Sequence, residues 1–335
     1  MRGERDGQRL LRADGGASSG FVKRVFATSL VRLTTALFCA IAGDLAAGAE
    51  PEFGGPTEAG RLEAPPKQET SGLAASRLSP GVLWTHDDSG GAASLYAVTT
   101  AGRSLGIVHL RGVKNDDWED LASYELDGKA WLLVADVGDN DAKRPSVQLH
   151  FVEEPPRDQL KPDTELRVRP TRTLTMRYEG GPRDCESVAV DVADRAIYLL
   201  TKRDDPPRLY RVALDAPAGE TDAVMVARRV GVVPHIPRPN IPQQRTKGYL
   251  GRRRAEVTAM DFAADGSAAV VLTYGGVLLF PRRAGEPWTD ALARPPVRLR
   301  PHTLEQGEAV CFSPDGKQIY VAGEGSRTLL RYDRR

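Results

Sequence analysis

Acidic residues recur along this chain in a fixed company. Glu119, Glu186, Glu256 and Glu308 each stand three positions before a small residue (Ala122, Ala189, Ala259 and Cys311), and Ser71 stands likewise before Ala74. In every copy a second apolar stretch follows and ends in a polar or Gly-rich cluster. The clusters are His86-Asp87-Asp88, Asp136-Val137-Gly138-Asp139-Asn140, Thr201-Lys202-Arg203, Thr273-Tyr274-Gly275-Gly276 and Gly323-Glu324-Gly325. Carboxylates gathered without matching cations repel one another unless they bind a hard cation, accept backbone hydrogen bonds or hold protons. Calcium takes roughly six to eight oxygen ligands, and Glu119, Asp136 and Glu186 are the residues expected to supply some of them. The competing reading is structural: Asp139 and Asn140 bond their own turn, and Arg144 satisfies Asp136.

The elements that would position these residues are short strands. Asp127-Gly128, Asp265-Gly266 and Asp315-Gly316 supply hairpin chemistry between the first and second apolar stretch. Third and fourth strands are expected at 94–99 and 104–110, at 209–214 and 223–233, and at 276–281 and 297–300. Four antiparallel strands per repeated unit define an all-β chain, a β-propeller of five blades with six as the alternative. A β-sandwich is the competing architecture. The last copy shows only three strands, and a strand borrowed from the leader would complete it. Because the first two strands of a unit run antiparallel, the start of one and the end of the other share one end of the ring. That mouth is expected to gather Asp88, Glu119, Asp136, Asp139, Asn140, Glu186, Lys202, Glu256, Tyr274, Glu308 and Glu324. Residues two apart on a strand share a face, so Asp117 accompanies Glu119. The Pro-rich stretch 234–254, with Arg252, Arg253 and Arg254, is neither helix nor central strand and is expected to lie over the same mouth.

Composition narrows the classes. Glycine (33) and proline (24) are plentiful and long helical patterns are few, which suits strands and turns. Residues 1–49 read as a secretory signal with a long polar lead: Lys23 and Arg24 precede the apolar run 33–43, and Ala47-Gly48-Ala49 gives a small-residue cleavage pattern. The run is too short to span a bilayer as a helix. Residues 50–68 read as a flexible leader, and 69–335 as the propeller domain. Removing the seven basic and four acidic residues of 1–49 from totals of 46 and 45 leaves a charge near −2, which gives no reason to expect nucleic acid or an anionic membrane as partner. Cys185 and Cys311 fit no zinc spacing and read as buried thiols. Neither a Gly-x-Ser-x-Gly nor a phosphate-binding Gly-Lys-Ser/Thr motif occurs. The five histidines show no metal-pair spacing, and His86 alone falls at the expected mouth, where a structural role is the ordinary one.

Ala309 to Glu324, with Phe312-Ser313-Pro314-Asp315-Gly316-Lys317, resembles the repeat of TolB-type and WD-like bacterial propellers. Asp117-Trp118-Glu119 together with Asp136-x-Gly138-Asp139-Asn140-x-x-x-Arg144 resembles exported bacterial propellers related to NHL-type and phytase-like or esterase-like ones. The resemblance covers about residues 69–335 and implies a secreted or periplasmic propeller. The full calcium-ligand set of propeller phytases has no obvious match. Two function classes follow. The first is a monomer binding a small molecule or a protein at the channel mouth. The alternative is a calcium-dependent hydrolase of a phosphoester, ester or lactone, with carboxylates holding the metal.

Overall fold

The computed structural model describes residues 52–65, 69–162, 165–215 and 224–335. The signal expected over 1–49 lies outside the described residues.

Local sequence makes strands from short runs rich in apolar and β-branched residues, bounded by turns that accept positive φ. Asp127 (φ 52°) and Gly128 (φ 75°) form such a two-residue turn. It joins β6 (Trp118–Leu126) to β7 (Lys129–Asp136). The described strands form four sheets of 4, 8, 4 and 5 strands. Dividing the eight-stranded sheet at its one parallel pairing leaves five units of four, with one added strand. The first comprises β2 (Thr70–Ala75), β3 (Val82–Asp87), β4 (Ser94–Thr99) and β5 (Ser104–Leu110). The second comprises β6, β7, β8 (Val147–Glu153) and β10 (Arg172–Tyr178), with β9 (Glu165–Val168) crossing over to pair in parallel with β5. The third comprises β11 (Cys185–Asp191), β12 (Ala196–Thr201), β13 (Arg208–Ala213) and β14 (Met225–Val232). A parallel pairing of β10 with β14 fuses the outer edges of the second and third units. The fourth comprises β15 (Val257–Phe262), β16 (Ala268–Thr273), β17 (Gly276–Pro281) and β18 (Val297–Arg298). The fifth comprises β19 (Gly307–Phe312), β20 (Gln318–Gly323) and β21 (Thr328–Asp333), completed by β1 (Thr57–Arg61).

That last pairing is the strand expected to be borrowed from the leader, and over 57–61 it replaces the flexible reading of 50–68. Thr57 lies opposite Arg331 and Arg61 opposite Thr328, and Phe53 is buried against the fourth and fifth units. The fifth unit has three strands of its own, so its outer edge carries unpaired backbone groups, and β1 satisfies them.

Burial follows distance from the axis. β2, β15 and β19 are buried at every position, whereas β14 is mostly part-buried or exposed and β18 is exposed. Apolar side chains collect in five clusters, one between each pair of neighbouring units, including the pair formed by the last and the first. The fold is therefore an all-β propeller with its core distributed around the ring. Two buried carboxylates tie the inner strands together. Asp120 Oδ2 accepts the amides of Val188 (2.8 Å) and Met260 (3.3 Å), and Asp261 accepts those of Phe262 (2.8 Å) and Phe312 (2.9 Å).

Candidate active site

Each first strand begins with an irregularity in its pairing to the second. The shifts lie between Thr70 and Gly72, Trp118 and Asp120, Cys185 and Val188, Val257 and Ala259, and Gly307 and Ala309. A bulge re-aims a side chain away from the pleat, and the residues inside these five are Ser71, Glu119, Glu186 with Ser187, Thr258 and Glu308. Glu256 is thus two residues out of step with its expected equivalents. The fourth copy inserts a turn of 3-10 helix, Arg252–Ala255, and the bulge position falls to Thr258. Glu256 is half-buried and accepts a hydrogen bond from Arg253 Nε (2.9 Å).

At the mouth one carboxylate oxygen from each of Asp88, Asp117 and Glu119 lies within 4.8 Å of the other two. Gly138 makes this approach possible. A Cβ there would stand 2.2 Å from Glu119 Oε1 and 2.5 Å from Asp117 Oδ2, so only glycine leaves room for both groups. Ser71 Oγ donates to the Glu119 carbonyl (2.9 Å) and to its Oε2 (3.3 Å).

The other expected residues are placed around this trio, each with a partner of its own. Asp136 accepts from Arg144 Nη2 at 2.7 Å and from the Asp117 amide at 3.3 Å, so it orients the trio from behind rather than joining it. Asp139 caps its own loop through the amides of Lys143 (2.8 Å) and Arg144 (2.7 Å). Asn140 accepts from Arg203, which also pairs with Asp184. Glu186 forms a buried ion pair with Lys202. Tyr274 donates to Glu308 Oε1 at 2.7 Å, and Gln306 donates to Glu324. His86 lies beneath, its Nδ1 2.9 Å from the Asp87 carbonyl and its ring edge-on to Trp118. Burial pushes this imidazole down to about 4, which keeps it neutral. Two residues essential to the geometry carry different sequence signals. The two-residue spacing points to Asp117, whereas Ser71 has no acidic character to mark it.

The charge balance is negative. Burial, together with Glu186, Asp88 and Asp117, holds the Glu119 carboxyl well above the usual range. Glu186 is also held up by burial, against the pull of Lys202. Burial and neighbouring charge from Asp88 push Asp117 up to about 6, and burial with Glu308 pushes Glu324 up to about 8. For Lys202, burial opposes the charge, but Glu186 and Glu308 outweigh it and raise the ammonium. Metal-free, the mouth therefore stores protons. A hard cation relieves the same repulsion, and a donor set made of carboxylate oxygens suits calcium or magnesium better than softer metals.

The 234–254 segment, expected over this mouth, is strapped to it. Tyr249 packs on Tyr274 with ring centroids 4.6 Å apart, and the Arg253 guanidinium lies 4.9 Å from the Tyr249 ring and 5.7 Å from that of Tyr274.

No protein-family model and no curated protein matches the chain. Among solved structures, a gluconolactonase from Xanthomonas campestris resembles it with a TM-score of 0.41 at 12% identity, over 79% of this chain and 72% of the other. A likeness of that size carries no inference about activity.

Proposed function

We propose that this chain is an exported propeller that holds a calcium ion on Asp88, Asp117 and Glu119 and hydrolyses an ester, lactone or phosphoester at that mouth. The observation that carries the reading is the convergence of the three carboxylates over Gly138, within reach of proton-holding neighbours. A bound cation would supply a Lewis acid for a substrate oxygen. The chain's own groups provide the rest. Lys202, kept charged by Glu186 and Glu308, offers a fixed positive charge where negative charge develops. Glu324, pushed up to about 8, holds a proton near neutral pH that can pass to a leaving group. Tyr249 and Tyr274 cover one side of the mouth and limit water there.

Export rests on the signal pattern within 1–49, and it would place the site where calcium is available to sites of modest affinity. One chain supplies every residue of the mouth, so a monomer suffices. The negative mature charge disfavours nucleic acid.

Calorimetric titration with calcium, followed by a screen of ester, lactone and phosphoester substrates with and without chelator, tests the proposal. Wild type should bind calcium, and Asp117→Asn or Glu119→Gln should weaken it by at least the roughly 10- to 100-fold that even outer-shell partners are worth. Hydrolysis should vanish with chelator. Absence of calcium binding by wild type would sink the metal reading. Binding without turnover of any substrate class would leave a calcium-stabilised mouth that receives a small molecule or a protein.

A further inference from the structure

The ring has a second mouth, where the first strands end, and it encloses a cavity of about 460 Å³. Along β6 the residues run from Glu119 at the acidic mouth, through Asp120 with its bonds to the third and fourth units, to Ser123 and Tyr124 in the cavity wall. Glu119 and Ser123 thus stand toward opposite ends of β6. Tyr124, Val190, Phe262 and Pro314 give the cavity apolar walls, and two guanidinium groups line it, Arg77 and Arg282.

The two arginines differ in how they are satisfied. Arg282 donates to Asp191 Oδ2 (3.1 Å) and to the Glu286 carbonyl (2.6 Å), and it lies 4.3 Å over the Trp288 ring. Asp191 matches its charge. Arg77 spends only its Nε–H on the protein, at 3.2 Å from the Ser123 carbonyl and 3.1 Å from Ser123 Oγ, and among the described residues it forms no ion pair. The buried carboxylate that feels its charge, Asp261, has its oxygens engaged by the Phe262 and Phe312 amides. The rim acids are exposed, and Asp265 is bonded to its own turn through the Ser267 amide (2.9 Å).

Arg77 is also held firmly in place. Glu154, 3% exposed, accepts the Arg77 amide (3.0 Å), the Leu78 amide (3.3 Å) and Trp84 Nε1 (2.9 Å), and Ser76 Oγ as well. A carboxylate from the second unit therefore fixes the backbone from which Arg77 projects. Both terminal amino groups of this half-buried guanidinium lack a protein acceptor among the described residues, and its planar fork matches a carboxylate in two parallel hydrogen bonds. The cavity lies within the size range of small-molecule sites, roughly 300–1,000 Å³.

We infer that this second mouth binds a small organic carboxylate with an apolar body, and that Arg77 recognises its charged end. The inference stands apart from the proposed hydrolase, because it uses none of the acidic-mouth residues.

Benzoate is the probe, titrated calorimetrically in chelator so that no cation at the opposite mouth can anchor it. Wild type should show saturable binding. Arg77→Met, which keeps the apolar stem, should weaken it by about tenfold or more. Ala193→Trp, at an exposed position on the cavity wall, should block it without touching Arg77. Inorganic phosphate, which lacks the apolar body, should compete poorly. No saturable benzoate binding by wild type, equal affinity in Ala193→Trp, or equal affinity in a folded Arg77→Met would overturn the inference. Displacement by phosphate at matched concentration would assign the site to free oxyanions and overturn the organic carboxylate.

Discussion

At the scale of single residues, the mouth is governed by how burial and like charge move protons. Glu324, ordinarily near 4.5 and held up to about 8, binds its proton more tightly in the folded chain. The stability that this brings is full below the ordinary value and is lost as pH rises toward 8. His86, His150 and His302 act oppositely. Burial pushes each from 6.5 to about 4, so their contribution is full above 6.5 and is lost as pH falls toward 4. Above 6.5 the histidines are silent and the mouth carboxylates remain. In chelator, the melting temperature should therefore decline between pH 6.5 and 8, and Glu324→Gln should flatten part of that decline. Calcium should remove it as well, by replacing the protons. A melting temperature that stays level or rises over this interval without calcium contradicts the electrostatic picture.

Elements decide which of these residues meet. The strap of 234–254 is anchored where Tyr249 packs on Tyr274 beside Arg253. Tyr249→Ala should cost about 0.5–1.5 kcal/mol beyond the lost burial, and limited proteolysis should then cut within 241–250 sooner than in wild type. Unchanged cleavage would mean that the strap is held elsewhere. The strands and the all-β propeller were legible because apolar stretches, small residues and Asp-Gly turns recur with a fixed order. The end of the ring on which Asp88 and Glu119 lie was legible from hairpin geometry. Hairpins pair Glu119 with Asp136, however, and the meeting of Asp88 with Glu119 comes from two neighbouring units standing side by side. Less was readable where one local insertion shifts the frame. The short 3-10 turn before β15 moves the bulge from Glu256 to Thr258, and no residue type announces that shift. The missing fourth strand of the last copy pointed to the leader, but the prolines and glycines of 50–66 gave no local sign of where in it a strand would form. β1 forms because β21 offers it an edge, a tertiary cause that local propensity does not contain. The role of Gly138 was equally hidden, since its lack of a side chain matters only once Asp117 and Glu119 are seen to crowd it.

On the scale of the whole molecule, the ring is closed by contacts between units, since each apolar cluster spans two neighbours. Asp120 concentrates this, joining the second unit to the third and fourth through the amides of Val188 and Met260. Asp120→Ala would leave both amides buried without an acceptor and should cost about 3 kcal/mol or more in urea unfolding, at roughly 1–3 kcal/mol for each orphaned group. Asp120→Asn keeps an acceptor and sheds a carboxylate that burial holds well above its ordinary range, so it should be far milder. Equal losses in the two variants would refute the bridging role. The pairing of β1 with β21 has a further consequence in time rather than in space. The two strands that meet there are the first and last of the described chain, Thr57–Arg61 and Thr328–Asp333. A polypeptide emerging amino end first can assemble four of its units as they appear. Its opening strand must wait for the closing one, so the finished molecule comes into being in a single late event, after the last strand has been released.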